Sequence, residues 1–502
     1  MSTRQYDNFN DLVTFTRSSG GTALRPISYG PELVTNGTFD TDTSGWTPNN
    51  LGLLSVSNQL LKVETGSNAG SWNYGYQEVS VVVGKTYRFK ASSIEGTATK
   101  HRILLGTGFA NGSIVMAGGA LGSSGDKSVD VSFTATTASV YVALQNTDGV
   151  LGSYTYLDNV SVKEVLFDQA GAPLTLFNHL TDTPRIEYNA AGERLGLLVE
   201  EARTNLVTYS EDFSNTSWPK VNASVSSDSS IAPDGNQTAD TLTATSASAN
   251  VYRYHTSGPF NSTVTFSVWL KRKTGTGTVS VGGTSVTLTS EWQLFTKDFA
   301  IGASGSIIYP GIQIATSGDE VYAWGAQLEA GAFPTSYIPT SGATATRAAD
   351  VCSMPVSAFG YNKSEGSLVV DANPIPSGSP IGDQGVVSFD NGTTTDEIIL
   401  LNENNDRCRL IIDPSGGAAN DVNMSLSGAE GSEKYAAAWR INDAQIAHGG
   451  LIGAGDTSTT PPTTITRLNV GSVPNIPLNG HIKSIKYYPR RLSNAQLVEL
   501  TS

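Results

Sequence analysis

The chain has 502 residues, too many for one ordinary hydrophobic core at roughly 100–200 residues per domain, and only 15% of them are charged while 52 are glycine. Its formal net charge is −14, and its basic residues gather no further than Lys271-Arg272-Lys273 and Arg490-Arg491, which argues against a nucleic-acid partner. No apolar stretch approaches the roughly 20 residues of a membrane-spanning helix, and Met1 to Asn10 lack the apolar core of an export signal, so the expectation is cytoplasmic synthesis without membrane insertion.

In chain order, Leu12-Val13-Thr14-Phe15-Thr16-Arg17-Ser18-Ser19 alternates apolar and polar residues and predicts a strand. An internal repeat follows: Leu33-Val34-Thr35 with Phe39 and Trp46 recurs as Leu206-Val207-Thr208 with Phe213 and Trp218. The turn and strand at Gly84 to Phe89 have their counterpart at Ser262 to Val268. Each copy ends on an alternating strand, Tyr156 to Val162 and Val321 to Leu328. The spacing predicts two related β-domains, residues 32–165 and 206–350. Between them lies a connector at 166–205, on which an N-terminal arm at 1–31 is expected to pack.

A third unit, 351–502, carries strand-like runs at Gly366 to Asp371, Glu397 to Leu401, Arg409 to Ile412, Lys434 to Trp439 and Ile482 to Tyr488, spaced as in a sandwich. Ser493 with Gln496 forms a capping box, and Leu492 with Leu497 a hydrophobic staple, so the chain should end in a short helix. The only cysteines, Cys352 and Cys408, admit either one bridge or two inert thiols.

Three resemblances come from particular residues. Pro184 to Tyr188, Gly192-Glu193-Arg194, Gly196 to Leu206 and Tyr209 to Phe213 closely resemble a block common in phage and prophage tail or virion proteins, usually preceded by a segment like Phe15 to Ser19. Residues 32–165 resemble jelly-roll carbohydrate-binding modules, through Val34 to Asp40 and Leu157 to Val160. Residues 355–502 resemble concanavalin A-like, or laminin-G-like, lectin domains, through Leu478 to Ser493. The resemblances imply an all-β protein, tandem jelly-roll β-sandwiches followed by a concanavalin A-like β-sandwich. They further imply a structural component of a virion appendage, a tail fibre, spike or head fibre, with other virion proteins and host cell-surface polysaccharide as partners. Most phage fibres that it resembles are trimers, and the arm and connector make too small a core alone, so a homo-oligomer completing that core between chains is expected. Two alternatives stay open: a capsid decoration or spacer, and an accessory binding subunit of a polysaccharide-degrading system.

Sugar binding needs flat aromatic faces beside amide and hydroxyl groups. Trp72, Tyr74 and Tyr76 alternate and would share one face of a strand, and Tyr252 with Tyr254 holds the equivalent place in the second copy. A sandwich interior demands the same pattern, so spacing leaves platform and core both open. The jelly-roll modules often hold a structural calcium ion through an early acidic residue and an Asp of the last strand, positions matched by Asp40 and Asp158. Solvent-facing turn and strand residues are the competing reading there, and Trp324 near the Asp158 position argues against the same ion in the second copy.

Catalysis finds no pattern. His101, His179, His255, His448 and His481 lie in different segments, with no His-x-x-x-His pair and no Gly-x-Ser-x-Gly elbow. The lectin-like unit lacks two carboxylates two or four residues apart on one strand, and Asp396 and Glu397 would face opposite ways. A non-enzymatic protein is expected.

Overall fold

The computed structural model describes residues 13–49, 52–66, 73–108, 114–118, 124–256, 260–303, 306–374, 382–403, 407–414, 419–425, 433–473 and 476–502. Their regular elements are strands, apart from one 3-10 turn and the helix Asn494–Thr501. The chain divides into two compact units, Pro26–Pro173, and Met1–Arg25 together with Leu174–Ser502.

Pro26–Pro173 is a β-sandwich. One sheet runs in the order Thr47–Pro48, Asn73–Ser80, Ser139–Asn146, His101–Gly106, Ile114–Gly118. In the facing sheet Thr86–Ile94 and Tyr154–Phe167 are neighbours, with Lys127–Thr134 on one side and Leu60–Thr65 on the other. Alternation explains the core: Tyr87, Phe89 and Ala91 from one strand meet Leu157, Val160 and Val162 from the other, all buried.

The second jelly roll repeats this design. Its sheets run Lys220–Val221, Ala249–Tyr252, Gly311–Ile314, Val279–Val281, Thr284–Val286, and Ala223–Ser230, Ala239–Ala244, Glu320–Ala330, Ser262–Thr274, Gln293–Ile301. The repeated Leu-Val-Thr motif does the same work in both copies. The residue after it turns left-handed, Asn36 at φ 52° and Tyr209 at φ 57°. The following Phe and Trp then pack ring on ring, Phe39 on Trp46 at 5.2 Å and Phe213 on Trp218 at 4.8 Å. Each indole N–H donates back to the left-handed residue after the motif, Trp46 to the Asn36 carbonyl at 3.1 Å and Trp218 to the Tyr209 carbonyl at 2.9 Å. The last strand of each copy carries a bulge, built on left-handed Asn159 at φ 54° in the first and Gly325 at φ 64° in the second.

The C-terminal sandwich has two seven-stranded sheets, and parts of the arm and of the connector belong to them. Thr14–Thr16 pairs with Val351–Pro355 at the edge of one, and the hairpin Arg185–Tyr188, Arg194–Val199 pairs with Gly480–Tyr488 in the other. Val13, Phe15, Leu197 and Val199 therefore share one core with Phe389, Tyr435 and Trp439. The small apolar set of arm and connector is therefore completed within the chain. The terminal helix is capped as its sequence predicts, with Ser493 and Gln496 in a reciprocal box, and Leu492 and Leu497 pack on Val369, Ala436 and Ala438. Cys352 and Cys408 are free and buried in that sandwich. They lie in one sheet with three strands between them, about 19 Å at ~4.8 Å per strand, so no bridge can form without rearrangement. Burial pushes the Cys352 thiol up to about 12.

A buried ionic knot ties arm, connector and both sandwiches of this unit. Asp350 accepts from Arg17 at 3.0 Å and from Arg185. Glu200 accepts from Arg185 at 2.9 Å, lies 3.4 Å from Arg347, and takes the Ser336 main-chain N–H at 2.8 Å. Burial pushes Glu200 up, but Arg347, Arg185 and the Ser336 hydrogen bonds outweigh it and hold its carboxyl at about 2. Three arginines against two carboxylates, all with side chains at most 4% exposed, leave no member that can lose its partner cheaply.

Candidate saccharide-binding groove

The outer face of the five-stranded sheet in the second jelly roll carries a candidate site. Ala249 and Val251 point into the core, which turns Asn250 and Tyr252 outward, and Ile312 and Ile314 do the same for Gly311 and Gln313. The antiparallel ladder continues past the regular strands, with His255 bridging Ile308 and the Arg253 N–H donating to the Pro310 carbonyl at 2.8 Å. That extension brings Tyr254 beside Tyr309. Tyr252, Tyr254 and Tyr309 form an edge-to-face triad, with ring centroids 5.2, 6.1 and 5.5 Å apart. Tyr254 is 57% exposed and Tyr309 53%, so neither serves the sandwich interior. The Tyr252 and Tyr254 hydroxyls are 2.9 Å apart, and this hydrogen bond raises the Tyr252 phenol above its ordinary value.

Tyr252 and Tyr309 line a groove of about 650 Å³, with Tyr254 beside them; its lining includes Val221, Asn250, Phe299, Ile307 and Gln313 and, among the described residues, no charged side chain. Gly282 and Gly283 make the turn at one rim, both with positive φ, 53° and 83°. A Cβ on Gly282 would meet the Phe299 ring at 2.6 Å, so the turn must be side-chain-free to lie this close. Chemically, the groove offers aromatic faces and edges for C–H packing and two primary amides for hydroxyls. Tyr309 and Gln313 escaped the sequence reading. The available signal was the alternation Ile307, Tyr309, Gly311, Gln313, with Ile308, Ile312 and Ile314 on the other face.

The first copy differs. Trp72 lies outside the described residues. Tyr74 and Tyr76 are on the outer face too, away from the sandwich core, in a separate cluster with Leu104 and Ala143. Tyr74 is only 8% exposed and accepts at its hydroxyl from the Gln145 amide at 2.5 Å. Tyr76 is half-buried and meets Tyr141 edge-on at 6.0 Å.

Asp40 and Asp158 are brought close enough to feel each other's charge. Burial, then Asp40, push the Asp158 carboxyl above its ordinary value. Each already accepts a local hydrogen bond, Asp40 from the Thr38 hydroxyl at 3.0 Å and Asp158 from the Asn159 amide at 2.8 Å. Mutually repelling carboxylates fit a hard cation, although among the described residues no set of three His, Cys, Asp or Glu side chains could hold a metal, so further ligands would be amide or carbonyl oxygens.

Antiparallel pairing also assembles carboxylates that the along-strand spacing test missed. Glu397 pairs across with Asp413 and adjoins Asp390 on the outer face of the C-terminal sandwich. Burial, Asp413 and Asp390 push Glu397 up to about 7. Asp390 itself is engaged by Arg467 at 2.6 Å and by Asn469. A smaller recess of about 270 Å³ between Trp269, Tyr337 and His481 has its polar walls occupied by one another, His481 with Glu187 at 2.7 Å and Gln327 with the Ile338 N–H at 2.7 Å.

No family profile and no curated protein sequence matches the chain. Among solved structures it is similar to the Ruminococcus gnavus IT-sialidase CBM40 bound to alpha2,3 sialyllactose, at 16% identity over 28% of this chain and 84% of that one, with a TM-score of 0.25. It is similar to the CBM22-1-CBM22-2 tandem domain from Paenibacillus barcinonensis Xyn10C, at 13% identity over 60% and 98% of the two chains, with a TM-score of 0.21. A third is the Trypanosoma rangeli sialidase in complex with the inhibitor DANA, at 11% identity over 96% and 94%, with a TM-score of 0.24. Likenesses of this degree carry no argument about ligand or activity, and the functional reading rests on the geometry of the site.

Proposed function

We propose that this chain is a non-catalytic glycan-binding protein whose saccharide contact is the groove of Tyr252, Tyr254 and Tyr309, and that it serves as a structural component of a phage virion appendage. The observation that carries the binding reading is the exposed tyrosine triad beside an uncharged groove with two primary amides, that of Asn250 also donating to the Ser248 carbonyl at 2.9 Å. Large aromatic rings left in water carry an unfavourable hydration free energy that a sugar's C–H face would relieve. The appendage reading is supported by the connector's resemblance to phage and prophage virion proteins, and oligomerisation on a particle would raise weak single-site binding through avidity.

A glycan array probed with the full chain tests the first part. Binding to host envelope sugars, lost in Tyr309→Ala and without release of reducing ends, is the expected result, and release of reducing ends would replace this reading with an enzyme. Mass spectrometry and labelled microscopy of purified particles test the second. The Asp40 and Asp158 pair is proposed as a structural calcium site, where the ion would neutralise their repulsion. Calcium should then raise the melting temperature by a few degrees in the native chain and not in Asp40→Asn.

A further inference from the structure

The first jelly roll carries a feature that the tyrosine groove lacks. In strand His101–Gly106, Ile103 and Leu105 enter the sandwich core, so Arg102 and Leu104 face outward. Arg102 is nevertheless only 7% exposed. Its cross-strand neighbour is Gln145, whose carbonyl oxygen accepts from Arg102 Nε at 2.5 Å while its amide donates to Tyr74. The charge is felt by Tyr74: burial raises that phenol, and Arg102 opposes the shift. Among the described residues no carboxylate pairs with Arg102, and its Nη2 is buried without a hydrogen-bond partner. A guanidinium held this way carries an uncompensated desolvation cost that an anion would relieve. The second copy is an internal control. There the matching central-strand residue, Gln313, stands opposite Ser280, so a neutral hydroxyl occupies the place of the guanidinium.

We propose that the outer face of the first jelly roll binds a carboxylate-bearing saccharide, with the Arg102 guanidinium as the carboxylate contact and the half-buried Tyr76 and Tyr141 as the accessible rim against which the sugar ring packs. Glu78 on the same face is held by the Ser139 hydroxyl at 2.7 Å, and the single guanidinium matches one negative charge, which favours a uronate-type monoanion over a phosphate dianion. The two copies then divide the work, the first taking acidic sugars and the second neutral ones.

Calorimetric titration of the full chain with a galacturonate hexamer and with a glucose hexamer tests this, joined to hydrogen exchange with each ligand. The galacturonate hexamer should bind, weaken with added salt, protect strands 101–106 and 139–146 from exchange, and lose about tenfold in affinity in Arg102→Gln. Tyr309→Ala should leave that binding intact, which separates failure here from failure of the tyrosine groove. Equal affinity in a folded Arg102→Gln, or no preference of the native chain for the acidic hexamer, overturns the proposal. If Arg102→Gln does not fold, the exchange pattern of the native chain decides: protection of 101–106 by galacturonate upholds it, and its absence overturns it.

Discussion

The ionic knot around Glu200 and Asp350 and the tyrosine groove of the second jelly roll belong to the same compact unit and use opposite materials. The knot puts charge where water is absent, and every member is held by several partners. The groove puts aromatic rings where water is present, and its lining is uncharged. Burial makes the first sensitive to loss of any partner, whereas exposure leaves the second free to change without disturbing the core. The difference teaches that a chain can separate the residues that hold its segments together from those that meet a ligand, and that the two sets should fail independently.

The most direct way to break this comparison is Asp350→Ala. It leaves Arg17 and Arg185 buried without their carboxylate, and should cost about 3–5 kcal/mol in equilibrium urea denaturation. A loss below about 1 kcal/mol would show that the knot does not hold the arm and connector in place. The groove should keep its glycan affinity as long as the variant is folded.

Acidity sharpens the same contrast with a smaller effect. Burial pushes Glu211 up to about 7 and Asp240 up to about 6. These groups bind protons more tightly folded than unfolded, so the stability they contribute is full below their ordinary values near 4 and lost as pH rises through 6 to 7. Glu200, held at about 2, acts in the other direction: its contribution is present above about 4.5 and is lost as pH falls towards 2. Stability should therefore peak between about pH 4 and 5, with Glu211 accounting for roughly 2–3 kcal/mol of the fall towards neutrality. Denaturation curves across pH, with Glu211→Gln flattening the upper arm, check this. Glycan affinity should stay level across the same range, because no carboxylate or imidazole lines the groove. An affinity that follows the stability curve would break the separation.

The smallest effect in stability should be the largest in binding. Tyr254→Ala or Tyr309→Ala removes an exposed ring, so the folding free energy should move by no more than about 0.5 kcal/mol while saccharide affinity falls about tenfold in titration calorimetry. A variant that loses stability by several times that amount would mean that the triad belongs to the core after all.

How much of this was legible beforehand can be judged from particular residues. The repeat at Leu33 and Leu206 is visible as a local pattern, and the Phe39 with Trp46 and Phe213 with Trp218 pairs follow from it because the motif turns the chain within a few residues. The alternation of Tyr252 and Tyr254 is equally local. Tyr309 is not, because it reaches Tyr254 through antiparallel pairing across more than fifty residues of chain. The same reason hid Glu397 beside Asp413, and Arg102 beside Gln145. Spacing along one strand also left the face of Tyr74 and Tyr76 open, since a strand has two faces and sequence alone does not say which one meets the second sheet.

By itself, then, the sequence determined what depends on neighbours along the chain: the strand-rich class, the duplicated motif, the capped terminal helix and the alternation that puts tyrosines on one face. Tertiary structure alone decided that strands of the arm and connector join the C-terminal sheets, and what their charges meet. Arg17 and Asp350 are 333 positions apart and touch only because Thr14–Thr16 adds to the strand Val351–Pro355. Strand addition at an edge depends on backbone hydrogen bonds that any non-proline residue can supply, so its choice of partner is written in the matching of buried side chains across the fold and in no local spacing.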